Sequence, residues 1–339
     1  MCVQDRKCQL FITLDLFGEI IQGCLRDLEW IKSLQIPCYQ STSNPFLYID
    51  LPEKKLKCIR NVSHGAFGFI DLALYDTGND VREIYVKRPI INGKNLLLEA
   101  CIQKMVGEKL KIIGFPTGAP KVLEIFKLHD GSICFAMEPI EKAITLDRYL
   151  ETTSHHVISG VLIECLLQLS SMMWYLSNMI GIDHRDLKPS NFLIVEHEQP
   201  VSKILTIDTE IIEIESKYSL TLIDFGFSCI GSTETHITDI SLSSVYSKKD
   251  PCPKDGRDMY LFIGLVYIDF HERIPPALRI LFESWLDVPY TNLSRFIRIY
   301  NDKQYAKFWL YFIAGNEAVI KYPCCPTRIL RDLYSLKTS

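Results

Sequence analysis

Lys57–Val62, Phe69–Tyr75 and Glu83–Arg88 are short runs rich in apolar, aromatic and β-branched residues, and Gly-containing turns separate them. That pattern predicts three strands. Asn95–Val106 then reads as a helix, followed by a loop carrying Gly114, Pro116, Gly118 and Pro120. Two further strands fit Val122–Leu128 and Ile133–Met137, with Asp130-Gly131 as their turn. Ahead of the first strand, a helix is expected around residues 18–34, with Pro37 and Asn44-Pro45 as breakers before the next segment. Beyond Pro139 the character changes to helix. Leu162, Leu166, Leu169, Met173 and Leu176 recur at intervals of three and four, which is one apolar face of a helix. There is no solenoid repeat and no low-complexity tract. The expected organisation is an N-terminal extension over 1–56, a small β-rich lobe over 57–140 and a larger helical lobe over 141–339.

Composition narrows the class only a little. With 339 residues, 47% hydrophobic and 23% charged, the chain is globular and long enough for two lobes with their own cores. A net charge of −4 gives no basic surplus, so nucleic acid is not an expected partner. The 12 cysteines are scattered without zinc spacing and predict buried or free thiols in a reducing compartment. No apolar run is expected to approach the roughly 20 residues that cross a bilayer. Leu261–Ile268 is far too short, and Asp15 and Glu19 interrupt the apolar N-terminus behind Arg6 and Lys7. Cys2 and the terminal Leu336-Lys337-Thr338-Ser339 match neither common lipidation signal. The expectation is an intracellular soluble protein with no membrane partner.

The chemistry concentrates in Ile182-Asp183-His184-Arg185-Asp186-Leu187-Lys188-Pro189-Ser190-Asn191, where a carboxylate, an ammonium and a carboxamide share one short loop. Phosphoryl transfer needs such a set: an acid to orient and accept the proton of an attacking hydroxyl, a cation for the moving charge, and an oxygen ligand for a metal ion. Downstream, Leu222-Ile223-Asp224-Phe225-Gly226 places a second acid after an apolar strand. In this order the two runs resemble the catalytic loop and metal-binding motif of eukaryotic-type protein kinases.

The resemblance implies an α+β, bilobal protein-kinase-like fold using ATP and Mg²⁺. It makes Asp186 the base, Lys188 its charge partner, and Asn191 and Asp224 the metal ligands. Lys188 two residues after the acid implies Ser/Thr rather than Tyr acceptors. Upstream, Val62-Ser63-His64-Gly65-Ala66-Phe67-Gly68-Phe69-Ile70 resembles the phosphate-covering glycine loop, with Ser63 where the first glycine belongs. Gly65 and Gly68 would let the backbone approach phosphates, and Ile70 follows on the next strand. Lys87 in Ile84-Tyr85-Val86-Lys87 matches the phosphate-contacting lysine, and Glu99 its expected helical partner. Phe135-Ala136-Met137-Glu138-Pro139-Ile140 looks like the hinge, with Met137 at the gatekeeper place and Glu138 and Ile140 offering main-chain groups to adenine. Asp258 resembles the buried acid that accepts hydrogen bonds from the catalytic-loop backbone. Arg185 would pair with a phosphorylated segment, for which Ser232, Thr233, Thr235, Thr238, Ser241, Ser243 and Ser244 offer acceptors.

The likeness covers about residues 57–270 and departs from the family pattern in four places. The first loop glycine is missing. Tyr85 replaces the usual small residue above adenine. Between Asn191 and Asp224 lie 32 residues, predicting an added hairpin around Glu196–Tyr218. No Glu occurs between Glu234 and Glu272, so the Ala-Pro-Glu motif is absent. Haspin-type kinases and the kinase-like proteins of large DNA viruses share that loss. The runs at Asp183–Asp186 and Asp224–Cys229 look most like the viral group. Two alternatives stay open: a pseudokinase scaffold, and a small-molecule phosphotransferase of the same fold. The protein substrate and the oligomeric state are not legible.

Overall fold

The computed structural model describes residues 38–40, 47–51, 54–65, 68–90, 96–128, 132–207, 210–231, 236–238, 252–287, 292–300, 302–315 and 324–338. The helix expected at 18–34, the Asp130-Gly131 turn and most of the Ser/Thr-rich segment lie outside them. The chain divides into two compact units, residues up to Gly107 with Pro120–Ile140, and Glu108–Ala119 with Glu141–Ser339.

The first unit is built on strands β1 (Cys38–Gln40), β2 (Leu47–Leu51), β3 (Lys54–His64), β4 (Gly68–Asp76), β5 (Val81–Pro89), β6 (Val122–Lys127) and β7 (Ile133–Met137). They form one antiparallel sheet in the order β1-β2-β3-β4-β5-β7-β6. Two strands therefore precede Leu56 and extend the same sheet. The period-two alternation sends Leu56, Cys58, Ala73, Tyr75, Ile84, Val86, Phe126, Cys134 and Ala136 into one core. On the opposite face helix α1 (Leu97–Ile112) packs Leu97, Ala100 and Cys101 against Ile125, Ile133 and Phe135. Glu99 in its first turn and Lys109 and Lys111 in its last turn complement the helix dipole.

The second unit carries β8 (Ile144–Thr145), α2 (Leu146–Thr152), α3 (Ile158–Trp174), β9 (Ile182–Asp183), β10 (Phe192–Ile207), β11 (Glu210–Leu222), β12 (Cys229–Gly231) and β13 (His236–Thr238). Helices α4 (Arg257–Phe270), α5 (Pro276–Leu286), α6 (Leu293–Tyr300), α7 (Lys303–Ala314) and α8 (Pro326–Thr338) follow. Strands β10 and β11 pair along almost their whole length, which is the hairpin expected around Glu196–Tyr218.

Two expectations fail here. Helix α3 continues through a π-helical turn to Ile180, and these 23 residues are long and apolar enough to cross a membrane by length and composition. Ser, Gln and Asn, with Glu164 as the single charge, dilute its hydropathy too little to prevent that. About 67% of the window is buried inside the protein, as befits a core helix. Two of its polar side chains have partners on the β10–β11 hairpin: Gln168 donates to the Tyr218 carbonyl at 3.0 Å, and Ser216 donates to Glu164 at 2.8 Å. The second correction concerns thiols. Cys229 and Cys252, both fully buried, form a disulfide across 23 residues. Scattered spacing did not reveal it, because β12 and the approach to α4 meet only in the folded chain. Among the described residues, Cys58, Cys101, Cys134, Cys165, Cys324 and Cys325 lie outside that disulfide.

Candidate functional site

In the sheet unit, cross-strand register decides which side chains share a face. Ile70 sits opposite Lys87, Lys87 opposite Phe135, and Tyr85 opposite both Leu72 and Met137. Partners directly across a ladder project to one side. Ile70, Tyr85, Lys87 and Met137 therefore line the face on which α1 packs. Lys87 and Glu99 form a buried ion pair there. Burial of both ends makes the pair directional, since either charge left alone in that setting would cost several kcal/mol. Met137 is held by Gln103, whose amide also donates to the Pro120 carbonyl at 3.0 Å. The Glu138 amide donates to the Lys121 carbonyl at 2.9 Å, and its carboxylate meets Arg82 and Lys121. Ile140 is the last residue of this unit.

The loop glycines differ in what they do. A Cβ on Gly68 would lie 2.7 Å from the Arg88 carbonyl oxygen and 3.3 Å from Lys87 Cε. Gly68 therefore lets β4 cross β5 closely beside Lys87, which is a packing requirement. A Cβ on Gly65 would meet nothing within 4 Å, so Gly65 borders open space. Its amide closes the turn onto the Gly68 carbonyl at 2.9 Å. Ser63 is exposed and pairs with Ile70 through the ladder. Tyr85 is half-buried on the Lys87 face, so the bulk expected above a nucleotide is present on that side.

The helical unit gathers the second set. Lys188 donates to Asp186 Oδ2 at 2.6 Å. Asn191 Nδ2 donates to the same oxygen at 3.0 Å and to the Asp186 carbonyl at 2.9 Å. The Ile223 amide donates to the Asn191 carbonyl at 3.0 Å, which brings Asp224 directly after a residue clipped to Asn191. Asn191 spends its amide nitrogen on Asp186, so its carboxamide oxygen and the Asp224 carboxylate, one residue beyond the Ile223 clip, are the hard donors that this stretch offers. This oxygen pair suits Mg²⁺, which takes one or two protein ligands and completes its shell with phosphate and water. Among the described residues no group of three or more His, Cys, Asp or Glu is placed to hold a metal ion, so any ion here would depend on such outside ligands. Arg185 and Asp224 both adopt φ 65°, a left-handed conformation that side chains adopt at a cost of order 1–3 kcal/mol and keep only under tertiary constraint.

That constraint is visible. Asp258, at the start of α4, accepts from the His184 amide at 2.6 Å and the Arg185 amide at 2.8 Å. His184 Nε2 lies 3.0 Å from the Ile223 carbonyl, and burial lowers its pKa, so the neutral ring donates there. Asp183 is buried with Arg257 at 3.4 Å and accepts from the Lys254 amide at 2.7 Å. Burial, then the Asp258 charge, push its carboxyl up to about 6, against the pull of Arg257. The β9–β12 ladder, Cys229 opposite Asp183, ties the catalytic loop to the chain beyond Gly226.

Local pattern did not reveal Asp183 and Arg257 as a pair, although each is a charge beside an apolar run. Tyr311 was missed as well. Its hydroxyl donates to Asp186 Oδ1 at 3.0 Å from 125 residues away, and nothing in its helical context marks it.

No family model matches the chain. The crystal structure of the BubR1 kinase domain is similar over 96% of this chain and 93% of that one, at 15% identity and a TM-score of 0.53. The fold is the bilobal protein-kinase fold. In sequence, dual specificity mitogen-activated protein kinase kinase 1 of Dictyostelium discoideum is 29% identical over 143 residues, 42% of this chain. The matched stretch is 20% of that relative's length, so the chain spans only a small part of it.

Proposed function

We propose that the chain is a protein kinase that transfers the γ-phosphate of ATP to Ser/Thr hydroxyls of a protein. The observation that carries this reading is the Asp186 carboxylate with Lys188 and Asn191 on one oxygen, in a loop clipped to Ile223, the residue before Asp224. The acceptor oxygen bonds to the γ-phosphorus as its proton passes to Asp186, and the bond to the bridging oxygen of the ADP leaving group breaks. Lys188 offsets charge near the carboxylate. Lys87, aimed by Glu99, takes the nucleotide phosphates. Asn191 and Asp224 would hold Mg²⁺, which supplies charge neutralisation on the phosphate oxygens. Preference for Ser/Thr rests on Lys188. The likeness to kinase-like proteins of large DNA viruses rests on the Asp183–Asp186 and Asp224–Cys229 runs, and an intracellular soluble setting suits a burial-dominated α3.

The test is transfer from labelled ATP to the protein itself or to a generic basic protein. Asp186→Asn and Lys87→Met should each cut the rate by on the order of 10² or more. Wild type no faster than a folded Asp186→Asn protein would sink the reading. Tyr85 on the Lys87 face supports a second reading, a nucleotide-free scaffold. Absence of any thermal shift with Mg-ATP would favour it.

A further inference from the structure

Helix α7 carries no motif, yet it is built into the catalytic loop. Gly264 of α4 gives it room: a Cβ there would lie 2.3 Å from Leu310 Cδ1, so the two helices meet in close contact beside Tyr311. The C-terminal end of α7 is tied by Lys254, whose buried ammonium donates to the Ala314 carbonyl at 3.1 Å. The backbone amide of the same Lys254 donates to Asp183, three residues before Asp186. Asp302 caps the other end by accepting from the Tyr305 amide at 3.0 Å. The helix is therefore anchored to the two elements, α4 and the Asp183 strand, that also hold the catalytic loop.

What this anchoring aims is the Tyr311 hydroxyl. It donates to Asp186 Oδ1 at 3.0 Å, while Oδ2 accepts from Lys188 at 2.6 Å and Asn191 at 3.0 Å. A carboxylate accepts about four hydrogen bonds, two at each oxygen. Oδ2 is thus filled, and Oδ1 keeps one acceptor position. With one donor fixed on each oxygen the carboxylate cannot rotate, and its remaining lone pair points in one direction. Burial, reinforced by the Asp186 charge, raises the Tyr311 pKa, so the phenol keeps its proton and remains a donor.

We propose that Tyr311 is a positioning residue for the phosphoryl-transfer step, holding the Asp186 carboxylate so that the open acceptor position on Oδ1 receives the hydroxyl of the protein substrate. This deepens the kinase reading and rests on it. The helix beyond the kinase motifs then supplies one of the donors that orient the base.

Three proteins separate the outcomes: wild type, Asp186→Asn and Tyr311→Phe, assayed with labelled ATP and a generic basic protein, with Phe308→Ala as a control. Phe308 is exposed on the same helix. Losing a hydrogen bond to a charged group should lower kcat on the order of 10- to 100-fold in Tyr311→Phe. KM for ATP and for the acceptor should stay within about twofold, because the contact acts on the base rather than on either substrate. Phe308→Ala should match wild type, with both melting temperatures unchanged. Active wild type with an equally active Tyr311→Phe overturns the inference and leaves the kinase reading intact. A Tyr311→Phe protein with a lower acceptor KM and a higher rate overturns it too, since the phenol would then be occupying the acceptor's place. Loss of the fold in Tyr311→Phe also overturns it, by giving the hydroxyl an architectural task. Wild type no faster than Asp186→Asn removes both readings together.

Discussion

The catalytic loop at Ile182–Asn191 is held by Asp258 from α4, by β12 through its ladder, by Lys254 and Arg257 through Asp183, and by Tyr311 through Asp186. Among the described residues of the glycine loop, His64 and Gly68 sit in strand ladders and the Gly65 amide donates to the Gly68 carbonyl. The difference follows from what each must present. A carboxylate that takes a proton has to point in one direction, and a side chain acquires direction only from partners. A backbone cradle presents amides and free space, for which a turn and a missing Cβ suffice. On the proposed reading, the Asp186 side chain draws on a distant part of the chain, while the backbone at Gly65 draws on its neighbours.

The strongest challenge to this contrast is Asp258→Ala. It strands the buried amides of His184 and Arg185, each costing about 1–3 kcal/mol when unsatisfied. We expect a loss of about 3–5 kcal/mol in urea unfolding and most of the phosphate transfer. A loss no larger than that of Gly65→Ala would dissolve the contrast.

The glycines sharpen it at smaller scale. Gly68→Ala forces a methyl against the Arg88 carbonyl and should cost about 1–3 kcal/mol. Gly65→Ala should stay within about 0.5 kcal/mol in stability and show instead as a weaker thermal shift with Mg-ATP. Equal melting temperatures for the two variants would contradict the division between packing glycine and open-space glycine.

The smallest expected effect is in pH. The Asp183 carboxyl titrates at about 6 in the folded protein against an ordinary 3.8. Between those values the folded chain holds a proton that the unfolded chain has released. Its contribution to stability is therefore present below about pH 4 and lost as pH rises through about 6. Unfolding free energy measured across that window should fall with pH in wild type and fall less in Asp183→Asn. Identical slopes would show that Asp183 does not set the dependence.

Much of the fold was legible. Ile133–Met137 matches its strand at both ends, since a short continuous apolar run bounded by a turn signal is a local property. The added hairpin followed from chain length between two motifs. Helix α1 outruns its expected end at Val106 and continues to Ile112, because tertiary burial of Leu110 carries it past Gly107. The helix of membrane-crossing length was missed because Ser, Gln, Asn and Glu164 interrupt it, so no unbroken apolar run marks it, while its average over 23 residues stays apolar.

By itself the sequence determined the strand runs and the helix period, the glycine loop, and the order Lys87, Glu99, Asp186, Lys188, Asn191, Asp224. These depend on residue type and on spacings of a few positions. Only the tertiary structure decided that Arg257 faces Asp183, that Cys229 joins Cys252, and that a tyrosine 125 residues beyond Asp186 reaches its carboxylate. Those contacts are set by how helices and strands pack, and packing direction is a property of the whole core that no local pattern carries.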